Sequence, residues 1–180
     1  ALADRVSSWF VPAVIAVGAG GAALVASDRR TAGAQVEDES IELKIADQIR
    51  LLYGDRLHVN ITSYNGLVLL TGEVPDAGAQ ASVGNAAKTT LKVRSVQNET
   101  VIGPNSDLSA RTNDSFITTK VKGRFVEANK FPPNAVKVVT ERAVVYLMGI
   151  VSRQEGTAAG EIAATTEGVA RVVKVFEYRG

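Results

Sequence analysis

Val68-Leu69-Leu70-Thr71-Gly72-Glu73-Val74 and Val145-Tyr146-Leu147-Met148-Gly149-Ile150-Val151 share the pattern Val-x-Leu-x-Gly-x-Val, the second stretch lying 77 residues after the first. Apolar residues alternate with variable ones in both stretches, which is typical of a β-strand that buries one face. The similarity continues on both sides of this motif. Asp38, Ile41, Lys44, Ile45 and Ile49 recur as Asp114, Ile117, Lys120, Val121 and Phe125, and Val93-x-x-Val96 recurs as Val169-x-x-Val172. A nearly constant offset over the whole unit indicates an internal duplication.

Each copy contains the same succession of predicted elements. Apolar residues at helical spacing, such as Ile41, Ile45 and Ile49, predict an amphipathic first helix. Two alternating strands, a second helix that starts at Asp76 or Ser152, and a closing strand follow. The order αββαβ predicts an α+β fold in which two helices pack on one face of a small mixed sheet. The predicted strands cover about residues 57–63, 67–74, 93–102, 135–140, 143–151 and 169–178.

The two copies differ at the tight turn between their first two strands. The first copy has Asn65-Gly66 there, which is the strongest short signal for a hairpin because both residues tolerate positive φ. The second copy has Glu141-Arg142-Ala143 at this place. We therefore expect its turn to differ from the first or to be strained.

The duplication divides the chain into two domains and two connecting segments. We predict the first domain at residues 36–102 and the second at 113–180, joined by a linker at 103–112 that is rich in turn-forming residues. Within residues 1–35, the stretch 6–27 carries no charged residue. Its strongly apolar part is too short to span a bilayer, so we expect a membrane-proximal segment. The alternative is a flexible linker of glycine and alanine.

The composition excludes several classes of function. The 20 lysines and arginines nearly balance the 19 aspartates and glutamates, so the strongly basic character of a nucleic-acid-binding domain is missing and no nucleic acid is expected as a partner. The chain contains no cysteine, which excludes disulfides, thiolate metal sites and a cysteine nucleophile.

No recognisable catalytic motif is present either. The single histidine, His58, argues against a histidine-based metal site or a catalytic triad, and we expect it on the polar face of a strand. Glu73 and Glu99 are interpreted as surface residues on strands. We therefore expect no enzymatic activity, no metal and no cofactor.

The repeated αββαβ unit, with its Val-x-Leu-x-Gly-x-Val hairpin and its closing Val-x-x-Val, resembles the BON domain of bacterial envelope proteins. Residues 28–38 and 113–122 are similar to the corresponding segments of outer-membrane lipoproteins with two BON domains, in which a tryptophan is common at the position of Phe116. The resemblance covers residues 28–180. It implies a non-enzymatic periplasmic protein attached to the outer membrane, which binds anionic phospholipid such as phosphatidylglycerol and contributes to envelope integrity.

The resemblance also implies an attachment that this sequence does not itself contain. Members of that group carry an acylated cysteine at the N-terminus, and no cysteine is present here. Either that cysteine has been trimmed or replaced, or the apolar stretch 6–27 provides the attachment.

A lipid-binding face is predicted on the first helix of the second domain, near residues 115–128. At about 100° per residue, the buried face of this helix is centred on Val121. Apolar side chains beside lysines on the opposite face are typical of a helix that lies in the interface of an anionic membrane. The alternative is that these apolar side chains pack against the first domain or another molecule. The predicted site residues are Phe116, Thr119, Lys120, Gly123, Arg124, Val126 and Lys130.

The first copy provides an internal comparison. Its corresponding helix is net acidic and carries Leu43, Asp47 and Arg50 on the outward face, so we expect anionic phospholipid to select the second domain. The alternative function is a protein–protein adaptor or chaperone-like periplasmic module. In that case the face that contains Phe116 would bind other envelope proteins.

Overall fold

Each copy of the repeat forms one α+β unit in the computed structural model, which describes residues 28–180. In each unit the first two strands are antiparallel, and the closing strand pairs in parallel with the second, so both sheets are mixed. The predicted fold class is confirmed.

The first unit consists of α1 (Ala32–Tyr53), β1 (His58–Tyr64), β2 (Leu67–Val74), α2 (Ala77–Lys88), β3 (Ser95–Asn98) and β4 (Val101–Ile102). The second consists of α3 (Leu108–Ala128), a 3-10 turn (Pro133–Ala135), β5 (Lys137–Glu141), β6 (Val144–Val151), α4 (Arg153–Ala164) and β7 (Arg171–Tyr178).

The first helix of each unit begins earlier than the apolar pattern indicated. Thr31 caps α1, and Asp107 caps α3, because their side chains accept hydrogen bonds from backbone N–H groups three residues later. α1 therefore begins inside the segment expected to precede the first domain. α3 begins inside the 103–112 segment expected to be a linker, and residues 103–107 connect it to β4.

A buried aspartate on the first helix of each unit holds the turn of the neighbouring hairpin. Asp38 accepts hydrogen bonds from the backbone N–H groups of Asn65 and Gly66 at 2.7 and 2.9 Å. Asp114 accepts the equivalent pair from the turn 142–143 at 2.9 and 2.8 Å. In both units this carboxylate fixes the hairpin relative to the helix that covers it.

In the first unit this aspartate has two further donors. Ser63 Oγ lies 2.6 Å from Asp38 Oδ1, and Arg30 Nη1 lies 2.9 Å from Asp38 Oδ2. Burial alone would raise the pKa of Asp38, but the hydrogen bonds from Ser63, from the turn amides and from Arg30 together hold it below its ordinary value. Asp38 is therefore a charged acceptor at neutral pH.

Both hairpin turns have positive φ at their two central residues. The values are 52° and 77° at Asn65 and Gly66, and 53° and 61° at Arg142 and Ala143. The second turn therefore has the same shape as the first. Of the two outcomes expected for this turn, a different shape or strain, the structure shows strain. The reason is that residues with an ordinary Cβ disfavour the left-handed region.

The glycine of the Val-x-Leu-x-Gly-x-Val motif is required because the backbone at or just before the first strand of each hairpin comes very close to it. A Cβ on Gly72 would collide with the carbonyl oxygen of His58, and a Cβ on Gly149 would collide with that of Ala135. The motif is therefore a constraint on the pairing of each hairpin, and not only a hydrophobic pattern.

Each sheet buries one face under its own two helices, which gives each unit a separate apolar core. The opposite faces of the two sheets pack against each other. Tyr64 and Leu69 of the first unit form one buried cluster with Tyr146 and Met148 of the second. The molecule is therefore a stack of four layers: helices, sheet, sheet, helices.

The stacking of the sheets corrects the interpretation of Glu73 and Glu99 as surface residues. Glu73 is 0 % exposed and lies between the sheets. Glu99 is half-buried, and its Oε2 lies 3.8 Å from Arg171 Nη2 of the other unit. A strand face that appeared solvent-facing in the sequence of one unit is covered by the other unit.

The residues that precede α1 contact both units. Arg29 forms a bidentate ion pair with Glu155 of the second unit, at 2.7 and 2.6 Å. The next residue, Arg30, bonds to Asp38 of the first unit and lies over the ring of Tyr64, 4.2 Å from its centroid. We call residues 28–30 the strap, because they join the two units at one end of their interface.

Within residues 28–180, none of the helices is both long enough and apolar enough to cross a lipid bilayer. The stretch 6–27, which we expect to be membrane-proximal, lies outside the described residues.

We predict that Ala143→Gly stabilises the protein by about 0.5 to 1 kcal/mol, because relief of left-handed strain exceeds the added freedom of the unfolded chain. Urea unfolding checks this. The matched change in the first turn, Gly66→Ala, should destabilise, since its Cβ would lie 3.0 Å from the carbonyl oxygen of Lys92. A destabilising Ala143→Gly variant would contradict the assignment of strain.

A second prediction concerns the strap. The hydrogen bond from Arg29, opposed by partial burial and assisted by the backbone N–H of Ser152, lowers the pKa of Glu155 to about 2. Because the folded-state pKa is depressed, the stability it contributes is present above about pH 4.5 and is lost as pH falls toward 2. The free-energy difference between wild type and Glu155→Gln, on the order of 2 kcal/mol at pH 7, should therefore shrink by pH 3. Urea unfolding at several pH values measures it, and a constant difference would refute the linkage.

Candidate functional site

The outward face of α3 carries large apolar side chains that the fold leaves uncovered. Phe116 is 63 % exposed and Val126 is 62 % exposed. Thr119 and Gly123 lie exposed between them, and Lys130 is exposed just after the helix ends. We call these five residues the α3 face. The four on the helix occupy positions i, i+3, i+7 and i+10, so they follow one side of the helix axis, and Lys130 comes after the left-handed C-cap Asn129.

This geometry bears on one part of the alternative interpretation, packing of the apolar side chains against the first domain; packing against another molecule stays an alternative. We considered that Phe116 and Val126 could pack against the first domain. That alternative is wrong, because the first unit is joined through the sheets on the far side of the second unit's core and both side chains remain exposed.

The two flanking cations of the predicted site have different surroundings. Lys120 is exposed, with Nζ 3.4 Å from Glu167 Oε2, in a pair that is open to solvent on both sides. Such a pair contributes little to stability, so Lys120 is available to another anion. Lys120 and Glu127 also border a shallow cleft between α3 and the end of α4.

Arg124, by contrast, is committed to the fold. Its Nη1 donates to the carbonyl oxygen of Ile162 at 2.8 Å and to the hydroxyl groups of Thr165 and Thr166 at 3.0 and 2.9 Å. These groups close the C-terminal end of α4. The sequence predicts Arg124 as a lipid-contacting residue, with its long side chain reaching outward. It reaches sideways instead and links α3 to α4.

The two first helices differ in charge, as the sequence indicated. α1 contains five carboxylates and two basic residues, whereas α3 contains two carboxylates and four basic residues. α1 also exposes apolar side chains, since Leu43 and Val36 are each 67 % exposed. Exposed apolar side chains are therefore common to both helices, and the combination of an exposed aromatic ring with a basic surrounding distinguishes α3.

A second group of polar side chains lies between the two sheets, and the sequence did not predict it. His58 Nδ1 lies 2.7 Å from Glu73 Oε2 and 4.0 Å from Glu141 Oε1. Both carboxylates are buried and the imidazole is half-buried. We call these three residues the His58 cluster. No motif could have indicated it, because the three residues come from three strands in two units.

Neighbouring donors affect the two carboxylates of the His58 cluster differently. Burial would raise the pKa of Glu73, but hydrogen bonds from His58, the Ser106 backbone and Arg142 lower it below its ordinary value. Burial raises the pKa of Glu141, and the opposing influences of His58 and Asn60 offset this only in part. The cluster thus holds two carboxyl groups of unequal acidity in one buried space.

Comparison with known proteins agrees with the duplicated fold. The family model described as BON domain matches residues 37–104 and 113–180. The outer membrane lipoprotein DolP of Haemophilus influenzae is 37 % identical over 170 residues, which are 93 % of this chain and 88 % of the relative. The 21 kDa hemolysin of Actinobacillus pleuropneumoniae is 34 % identical over 153 residues, which are 84 % of this chain and 79 % of the relative.

Similarity to solved structures is more distant. CdsD, a structural protein of the type III secretion system of Chlamydia trachomatis, aligns with 78 % of this chain and 92 % of its own at 11 % identity, with a TM-score of 0.32. This likeness is too low to support any argument about the arrangement or role of the present chain.

We predict that Arg124→Ala lowers the free energy of unfolding by about 1 to 2 kcal/mol, because a charged donor to the end of α4 is lost. Urea unfolding measures the change. Lys120→Ala is the matched control on the same helix and should change stability by less than about 0.5 kcal/mol. Equal effects of the two substitutions would contradict the structural role of Arg124.

Proposed function

This chain belongs to the BON-domain family, and from that premise we propose that it binds anionic phospholipid at the inner face of the bacterial outer membrane through the α3 face. On this proposal it is a non-enzymatic periplasmic protein attached to that membrane, where it supports envelope integrity. The name of the Haemophilus influenzae relative, outer membrane lipoprotein DolP, supports a role in the envelope.

The observation that carries the proposal is the exposure of Phe116 and Val126 on a helix flanked by Lys120 and Lys130. A solvated helix usually presents polar residues on its outward face. An interfacial helix instead places apolar side chains at the boundary between headgroups and acyl chains and its cations among the headgroups.

The expected energies are sufficient for reversible binding. Burying one large apolar side chain contributes about 1.5 to 3 kcal/mol. Each lysine near an anionic surface contributes about 1 kcal/mol. Phe116 and Val126 together with two lysines therefore account for a moderate affinity that depends on both the apolar and the charged components.

The first unit is not proposed to bind the membrane. α1 carries an excess of carboxylates, so an anionic surface would repel it. The two units lie back to back through their sheets, which leaves each first helix on the outside of the stack. The proposal thus assigns membrane binding to one unit of the duplication and leaves the other unit free.

We predict that the full chain co-sediments with vesicles that contain phosphatidylglycerol and not with purely zwitterionic vesicles. Phe116→Ser and Lys120→Glu should each weaken binding about tenfold, since each removes roughly 1.5 to 2 kcal/mol of binding free energy. Raising the salt concentration from about 0.1 M to about 1 M should weaken the wild type as well, because the Debye length falls to about 3 Å.

The duplication supplies matched controls for this experiment. Leu43 is as exposed as Phe116, and Lys44 is the repeat counterpart of Lys120. Leu43→Ser and Lys44→Glu should leave binding unchanged. Repeating the assay with residues 28–180, which contain both cores, separates the contribution of residues 1–27. Binding that ignores lipid charge and survives both α3 substitutions would overturn the proposal. Absence of vesicle binding by residues 28–180 would favour the adaptor function.

A further inference from the structure

We propose that the His58 cluster is a binding site for one divalent transition-metal ion, with Zn²⁺ the best chemical fit, located between the two units. The ligands would be His58 Nδ1, one oxygen of Glu73 and one oxygen of Glu141. An imidazole nitrogen with carboxylate oxygens is a usual ligand set for zinc. This inference is independent of lipid binding, because the cluster lies between the sheets and the α3 face lies on the outside.

The positions of the three groups support a common ligand. One candidate ligand atom from each residue lies within 4.8 Å of the others. The 4.0 Å between His58 Nδ1 and Glu141 Oε1 is too long for a hydrogen bond. His58 Nδ1 and Glu73 Oε2 lie at the 2.7 Å of a hydrogen bond, which an ion would replace, and Glu141 Oε1 approaches the same point without contacting His58.

The remaining oxygen of each carboxylate is held by donors outside the cluster. Asn60 Nδ2 donates to Glu141 Oε2 at 2.6 Å. Arg142 Nη1 donates to Glu73 Oε1 at 3.3 Å. Each of these carboxylates therefore presents its other oxygen toward His58. Outer donors of this kind orient metal ligands in known sites and tune their affinity.

The duplication provides an independent comparison for these positions. At the repeat offset, Glu73 corresponds to Ile150, and Glu141 corresponds to Tyr64. Tyr64 and Ile150 belong to the apolar cluster between the sheets. One end of the interface is thus apolar and tied by the strap, while the equivalent end contains two buried carboxylates and an imidazole. Buried carboxylates destabilise an interface unless a cation or a proton compensates them.

The charge of the surroundings leaves room for such a cation. Arg142 Nη1 lies 3.3 Å from Glu73 Oε1 and its side chain is 51 % exposed, so solvent screens this charge and it compensates Glu73 only in part. A divalent ion held by both carboxylates would supply the remaining positive charge. The composition argued against a metal site because the chain has one histidine. The fold adds two buried carboxylates to it, one from each unit.

A metal at this place would link the units, because His58 and Glu73 belong to the first and Glu141 belongs to the second. Titration of the metal-free full chain with ZnCl₂, followed by calorimetry, should show saturable binding of one ion per chain. Zn²⁺ should raise the thermal midpoint, and EDTA should reverse the rise. Replacement by Co²⁺ should give visible absorption bands that report nitrogen and oxygen ligation.

Three substitutions test the assignment. His58→Gln and Glu141→Gln should each weaken Zn²⁺ binding by at least tenfold, and Asn60→Ala should weaken it about tenfold by releasing an outer donor. Glu155→Gln, which alters a carboxylate on α4 that bonds to the strap, should not affect it. Circular dichroism establishes that each variant is folded. Absence of one-to-one binding by the wild type, or binding unchanged in folded His58→Gln and Glu141→Gln, would overturn the proposal and identify the cluster as an ion-pair network alone.

Discussion

The buried carboxylate beneath each hairpin turn is the interaction on which the rest of each unit depends. Asp38 and Asp114 each bind two adjacent backbone N–H groups of a turn that their own helix covers. Without this acceptor, two amides would remain unpaired beneath a helix, which is costly. The bond pair sets the distance between helix and hairpin. The rest of the core fills the space defined by that distance, and this explains why the aspartate recurs with the apolar pattern.

Packing the two sheets face to face gave the two copies different constraints. The face of each sheet that lies under its own helices must match that pair of helices, so the apolar pattern is the same in both copies. The opposite faces of the two sheets pack against each other. They must be complementary, and complementary surfaces need not be identical. Tyr64 therefore corresponds to Glu141, and Glu73 to Ile150. The helical surfaces are free of both constraints and have diverged in charge.

Much of the fold could be predicted from the sequence because local patterns carry it. The repeat offset, the strand alternation and the caps at Asp76 and Ser152 all have local physical causes. The orientation of the units had no such signal, so Glu73 was assigned to the surface. The exposed position of Phe116 followed from helix geometry. The role of Arg124 could not be predicted, because its partners lie at the C-terminal end of α4, about 40 residues away along the chain.

The strap determines how the body of the protein would respond to mechanical load. Arg29 bonds to the second unit and Arg30 bonds to the first. A force applied to the chain before Asp28 would therefore be transmitted to both units. A force applied to α1 alone would tend to separate that helix from its sheet. Because the load is shared, neither core would have to resist it alone.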